Sequence, residues 1–321
     1  MLHCAEMERT KSQHPIRGYL FIAAATLCWG ISATLGRAVF TGRLITGHAL
    51  DPISPLILAQ SRTTLSLLVL GPILLARRGR AGMRMSRRDV FVALLIGVLG
   101  VAASNYFYYY AIQVTNVATA IVLQYTAPVW VLMYMVVRRL QRATMQRLFA
   151  VGLALLGIAL ITGIVGGQLR ISLIGILAAE AAALAFAYYN VAIPPLLERH
   201  DRWKVLAWLL FGAALFWLVV NPPWRFPHLS GEQWAFLCLF ALTSVLLPFS
   251  FYIAGLQYLD ATRAIVTSCL EPVFSIVIAA IWLSETVTLL QVVGVMVVLA
   301  ATVLIQLPDR AERAPVLEPM E

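Results

Sequence analysis

The sequence predicts an all-α, polytopic membrane protein with about ten transmembrane helices arranged as two inverted five-helix repeats. Three observations carry this. Of 321 residues, 61% are hydrophobic and only 12% charged, where soluble domains carry about a quarter, and the mean hydropathy is +0.84. Apolar runs of about 20 residues, the length that crosses a bilayer, recur along the whole chain between short polar or Gly/Pro-marked breaks. The basic residues gather in alternate breaks, as membrane topology requires.

The first span, Gly18–Val39, follows a flank mixing Glu6 and Glu8 with Arg9, Lys11 and Arg17. Its apolar run exceeds the roughly 7–15 residues of a signal-peptide core, so it reads as a retained helix. Pro52–Ala76 and Asp89–Ile112 come next, separated by Arg77, Arg78, Arg80, Arg84, Arg87 and Arg88. Val117–Val137 begins after the tight Gln113–Asn116 link, and Gln146–Ile164 after Arg138, Arg139 and Arg142. The second set is Ser172–Leu197, Trp203–Val220, Glu232–Tyr258, Ala261–Leu283 and Thr288–Gln306. Asp260 and Arg263 mark a turn where the eighth and ninth spans would otherwise read as one very long helix. With the N-terminus inside, 19 basic residues fall in cytoplasmic segments and 3, Arg43, Arg170 and Arg225, in the opposite links. This predicts both termini in the cytoplasm of a cell bounded by this membrane, the inner membrane if the cell is bacterial. Residues 1–17 and 307–321 form polar tails, the second proline-containing and expected to be disordered.

A shift of 144 residues superimposes Gln113 on Gln257, Ala120 on Ala264, Pro128 on Pro272 and Val129 on Val273, which predicts an internal repeat over 18–164 and 172–306. Five helices is an odd number, so the second copy enters the membrane from the opposite side. Such inverted repeats are found in carriers, where two similar half-structures exchange conformations, and also in channels.

The inventory excludes several classes of function. The net charge of +9 sits in the links and so reads as topology, not as a nucleic-acid surface. Cys4, Cys28, Cys238 and Cys269 show no paired spacing, and three lie in apolar runs, which argues against a disulfide framework or zinc site. The only lysines, Lys11 and Lys204, follow no Gly-rich phosphate loop, so the chain is not an ATPase. His3, His14, His48, His200 and His228 all fall in tails or links, leaving no intramembrane histidine pair for a metal. The aspartates lie at span ends or beyond, without the paired constellation of an intramembrane hydrolase or transferase. Neither enzyme activity nor a cofactor is expected; the expected partners are a small-molecule substrate and the lipid bilayer. The Gly97/Gly100 pair suits internal packing or dimerisation equally, which leaves the oligomeric state open.

Four ionisable residues lie within the spans: Arg37, Arg62, Glu180 and Glu271. A charge at the bilayer centre costs about 3 kcal/mol or more, so each should face a partner, water or substrate. Arg37 is near a span end and can snorkel to the interface. Arg62 suits either a structural ion pair, as an intramembrane charge partner, or a substrate contact. Glu180 sits in the Ala-rich stretch 178–187, where small side chains leave room beside the carboxylate. A carboxyl costly to ionise is what proton coupling requires, and a structural glutamate is the alternative. Glu271 precedes Pro272, whose missing N–H frees backbone carbonyls to join the carboxylate in lining a cavity; Thr267, Ser268 and Ser275 make this face polar. Tyr106 to Tyr110 are five consecutive aromatics, followed by Tyr125 and Trp130. They cover every face of the third helix, so most are structural, but Asn105, Tyr108 and Tyr109 form a strip able to bind a planar or cationic metabolite. Pro248, flanked by Thr243, Ser244 and Ser250, predicts a kink.

These residues resemble the drug/metabolite transporter superfamily, and within it the EamA-type permeases. The resemblance runs from about Gly18 to Gln306. It rests on Trp29-Gly30 with Arg37, Arg62, Ala127–Val129, and Glu271-Pro272-Val273-Phe274 leading to Leu283-Ser284-Glu285, in that order and spacing, together with the duplication. One departure is Arg139-Leu140-Gln141, where family members usually carry an acidic residue at the end of the fourth helix. The resemblance implies a secondary carrier, typically an exporter of amino acids, other metabolites or drugs. It also implies a central cavity lined by the first, third, fourth, sixth, eighth and ninth helices, which points to Trp29, Tyr109, Glu180 and Glu271. With Asn105 from the aromatic strip, these are the expected substrate-binding residues; Glu180 and Glu271 are the candidates for ion coupling. The reading is an exporter of a small amphipathic metabolite working by alternating access, slightly favouring aromatic amino acids. The rivals are an uncoupled facilitator, a lipid-modifying enzyme and a non-transporting scaffold.

Overall fold

The computed structural model describes residues 15–40, 53–115, 117–162, 172–222, 224, 226, 228–282 and 286–307. These residues form an all-α bundle of ten long helices with no strand among them: α1 (Pro15–Phe40), α2 (Pro55–Gly82), α3 (Arg87–Val114), α4 (Thr119–Val137), α5 (Met145–Ile161), α6 (Leu173–Leu197), α7 (Arg202–Val220), α8 (Gly231–Leu256), α9 (Ala261–Trp282) and α10 (Leu289–Gln306). Nine are apolar over at least 18 residues; α5, with 17 residues, is about 25 Å long at 1.5 Å per residue. The protein is thus a polytopic membrane protein. Its outer surface carries the large apolar side chains that lipid accepts, Phe91, Leu99, Phe149, Leu184 and Ile281 among them. Residues 1–14 and 308–321 of the polar tails, Arg43, Arg170, Arg225 and Glu285 lie outside the described residues, as does the side chain of Arg37.

Short polar residues set where the helices begin. Ser86, Thr144, Asp201, Ser230, Asp260 and Thr288 each accept a backbone N–H at the start of α3, α5, α7, α8, α9 and α10. Ser230 with Gln233, and Thr288 with Gln291, form reciprocal capping boxes. These caps satisfy amide groups that would otherwise be exposed to a low-dielectric surround. Asp260 confirms the turn between α8 and α9.

Besides a kink at Gly79 near the end of α2 and a break at Ile193, before Pro194, near the end of α6, four interruptions mark the interior of the bundle. α3 passes through a π-helical segment at Ile96–Ala102, and α8 through another at Leu242–Leu246. The second lies just before Pro248, so the kink foreseen there is a π-bulge followed by the proline. The ninth span is not one continuous helix: it is interrupted at Cys269–Leu270, immediately before Glu271 and Pro272. The fourth is interrupted at Tyr125–Thr126, just before Ala127 and Pro128, a break the sequence reading did not anticipate. The two breaks are 144 residues apart, the same offset at which the sequence repeats.

Packing shows the same exchange. The main neighbours are α1 with α8 and α9, α6 with α3 and α4, α7 with α2 and α3, α2 with α8, α4 with α9, and α5 with α10. Replacing each helix by the one five places along returns the same set. One core joins α1, α2, α3, α6, α7 and α8; a second joins α4, α5, α9 and α10. The helices meet through glycines at the closest points. A β-carbon at Gly97 would strike the backbone of Leu209 in α7, and one at Gly100 the side chain of Tyr189 in α6. Both glycines therefore serve packing within the chain. Gly157 and Gly294 face each other across α5 and α10 in the same way.

The arginine-rich turns collect at one end of the bundle. There Arg78 pairs with Asp201 at 2.6 Å, and Lys204 donates to the Arg84 carbonyl at 3.3 Å. Buried Asp89 takes Arg199 and His200, each at 2.8 Å. Thr262 donates to Gln141 at 2.8 Å, and Gln146 to the Leu304 carbonyl at 2.8 Å. These contacts tie the starts of α3, α5, α7 and α9 to the ends of α2, α4, α6 and α10.

Candidate functional site

The two helix breaks bring the intramembrane polar groups together. Proline has no N–H, so Pro272 withholds a donor from the Ser268 carbonyl and Pro128 one from that of Gln124, and each helix loosens before it resumes. Glu271 is the first residue of the resumed α9 segment. It lies ten residues beyond Ala261, about 15 Å along the axis and close to mid-bilayer depth. Its carboxylate accepts a hydrogen bond from the Tyr125 hydroxyl at the α4 break, and Arg62 of α2 lies near enough to act on it electrostatically. The Arg62 guanidinium carbon stands 5.6 Å from the centroid of the Tyr109 ring, a cation–π distance. Tyr108 is within electrostatic reach of both Glu271 and Arg62. Both charged side chains are half-buried.

Glu180 meets the other side of the same break. One of its oxygens accepts from Thr126 and from the Trp130 indole, both at 3.0 Å. Adjacent residues at the α4 interruption, Tyr125 and Thr126, thus serve the two carboxylates, one on α9 and one on α6. Outside Trp130 runs an apolar groove of about 340 Å³ between α4 and α6, lined by Met133, Tyr134, Val137 and Leu184 among others. It lies on the outer face, since these four side chains are exposed.

Trp29 anchors a third group. Its indole N–H donates to the Ser244 carbonyl at 3.1 Å, an acceptor that Pro248, four residues on, leaves without its helical donor. Around it stand Tyr252, Phe249 and Phe186, with ring centroids at 5.4, 5.7 and 6.4 Å. The buried Tyr252 hydroxyl donates to Asn190 at 2.6 Å and also reaches Ser268, next to the α9 break.

Of the residues singled out from sequence, Arg62, Tyr109 and Glu271 converge directly. Glu180 connects to them through α4, and Trp29 through Tyr252 and α9. Asn105 does not join them in the described contacts: its amide donates to the Val101 carbonyl of its own helix at 2.7 Å. Tyr106 turns toward α7, where it packs against Phe216 and Trp217. Sequence reasoning left out Thr126 and the Asn190–Tyr252 pair, and noted Tyr125 and Trp130 only as aromatics. The 144-residue repeat held a signal for two of them, because it sets Tyr125-Thr126 before Pro128 where Cys269-Leu270 stand before Pro272.

The family model for EamA-like transporters matches the chain twice, over residues 16–163 and 173–307. The uncharacterised inner membrane transporter YicL of Salmonella typhimurium is 24% identical over 301 residues, covering 92% of this chain and 96% of that one. An uncharacterised transporter of Archaeoglobus fulgidus is 26% identical over 212 residues, covering 64% of this chain and 75% of that one. A protein of known crystal structure superposes with a TM-score of 0.74 at 19% identity, over 92% of this chain and 99% of the other, a likeness of fold.

Proposed function

The chain belongs to the EamA-like transporter family and is a multi-pass membrane transporter; from that premise we propose that it exports a small amphipathic metabolite, an amino acid or related compound, by alternating access. The observation that carries the proposal is the meeting of Arg62 with Tyr109, beside that of Glu271 with Tyr125 at the breaks in α9 and α4, in the middle of the bundle. A broken helix at membrane depth is tolerated where it is covered by protein or faces an aqueous cavity, and such breaks are where carriers hold their substrates. The halves, residues 18–164 and 172–306, act as inverted-topology repeats, and their interchangeable pairings support two related arrangements that open the site to one side or the other. The protein resides in the plasma membrane, or the inner membrane of a bacterium, with its arginine-rich end and both termini in the cytoplasm.

Gradient coupling falls to Glu271 rather than Glu180, whose bound oxygen already holds two donors from α4. The test is counterflow in proteoliposomes with a panel of amino acids and amines, comparing the wild type with Glu271→Gln. Flux of one class, accelerated by an imposed pH gradient and reduced at least tenfold in Glu271→Gln, is the expected result. Wild-type flux that ignores the gradient makes the protein a facilitator. Undiminished, gradient-driven flux in the variant removes Glu271 from the mechanism. Turnover of labelled lipid in place of flux returns the enzyme reading.

A further inference from the structure

Arg62 differs from the other intramembrane charges among the described residues. Glu180 holds two donors and Glu271 one. Arg62 has neither a hydrogen-bond partner nor an ion pair among the described residues, and its Nε is buried without an acceptor. Its one described side-chain contact of this kind is the Tyr109 ring, 5.6 Å from the guanidinium carbon. An aromatic ring can steady a guanidinium but accepts none of its five in-plane N–H groups, which remain available as a fork matched to a carboxylate. The natural internal acceptor, Glu271, lies within electrostatic reach but is not bonded to it, and Tyr125 occupies that carboxylate instead.

We propose that Arg62, steadied by Tyr109, recognises a free carboxylate on the transported molecule while Glu271 takes a cationic group on the same molecule. The inference rests on the carrier reading above and adds what the site discriminates. One positive and one negative group within electrostatic reach of each other are both neutralised by a zwitterion. A dianionic phosphate would be repelled by Glu271, and a simple amine would leave Arg62 without a counter-charge. Burying a net-neutral set of charges is the least costly way to hold ions at this depth. The carboxylate is therefore a requirement of binding, and Tyr109 is a positioning residue for it.

The test uses the full-length protein in detergent, with thermal unfolding as a readout of binding that does not depend on flux, and counterflow as the second measurement. Free amino acids are compared with their amides and methyl esters. In the wild type the acids are expected to raise the unfolding midpoint at concentrations at least tenfold lower than the amides. Arg62→Gln removes that preference, and Arg62→Lys, which keeps the charge without the fork, retains part of it. Tyr109→Leu weakens acid binding with little effect on amides. Equal binding of acid and amide by the wild type overturns the proposal without any variant, and so does an unchanged acid preference in Arg62→Gln. Acid-dependent binding without counterflow supports this inference and overturns the carrier reading. Counterflow of amines and amides but not acids overturns this inference and leaves the carrier reading in place.

Discussion

At the scale of single residues, the membrane interior of this protein is organised by who accepts from whom. Glu180 works as an acceptor between helices, holding Thr126 and Trp130 against α6. Truncation should cost more than neutralisation, because an unsatisfied buried donor loses about 1–3 kcal/mol. Glu180→Ala is therefore expected to lower the thermal unfolding midpoint markedly, while Glu180→Gln, which keeps a carbonyl oxygen, stays close to the wild type. Equal losses would show that the charge, and not the acceptor, holds α4 in place. Trp29 follows the same logic, since its N–H takes up the carbonyl that Pro248 releases. Composition and spacing identified Glu180 as exceptional, because a glutamate in a run of alanines stands out by itself, while Trp29 was pointed to by the family resemblance. They did not show what these residues hold, since a partner 50 or 215 positions away leaves no local trace.

At the scale of helices, the breaks and the glycine contacts decide the geometry. Two glycines of α5 provide a matched test. A β-carbon at Gly157 would meet the Val298 side chain at 2.6 Å and the Gly294 carbonyl oxygen at 2.9 Å, whereas one at Gly152 meets nothing within 4 Å. Gly152→Ala should stabilise, by up to about 1 kcal/mol of helix propensity. Gly157→Ala should force α5 and α10 apart, at about 1–3 kcal/mol for overpacking. Thermal unfolding of the two variants reads both signs, and a neutral Gly157→Ala would mean that this contact is looser than described. The break in α9 was legible from Pro272 following Glu271. The break in α4 was not anticipated, although Pro128 follows Thr126 at the same distance as Pro272 follows Leu270: Tyr125 and Thr126 carry no charge to draw attention to the spot, as Glu271 does in α9.

At the scale of the molecule, the arginine-rich turns gather at one end and are laced together there, most tightly where Asp89 of α3 takes Arg199 and His200 from the end of α6. This contact joins the two halves of the chain. The positive-inside rule predicts that this end lies in the cytoplasm. In a cysteine-free background, Arg139→Cys, in the α4–α5 turn, should stay protected from a membrane-impermeant thiol reagent applied to intact cells. His228→Cys, between α7 and α8, should be labelled. The reverse pattern would invert the orientation and with it the sense of export.

The sequence by itself determined the solvent, the number of crossings and the duplication. These are summed properties: hydropathy over about 20 residues decides insertion, the distribution of arginine sets orientation, and a repeated order of residues survives any detail of packing. The tertiary structure alone decided which charges meet. Arg62, Tyr109, Tyr125 and Glu271 come from four helices spread over 210 positions, and nothing within one helix says which of its faces turns toward another's. It also decided that Arg62 rests on an aromatic ring and not in an ion pair. The physical reason is that in lipid both sides of a helix are apolar. The hydrophobic pattern that reveals a buried face in water is therefore absent, and close contact between helices, glycine on backbone and donor on acceptor, supplies the specificity.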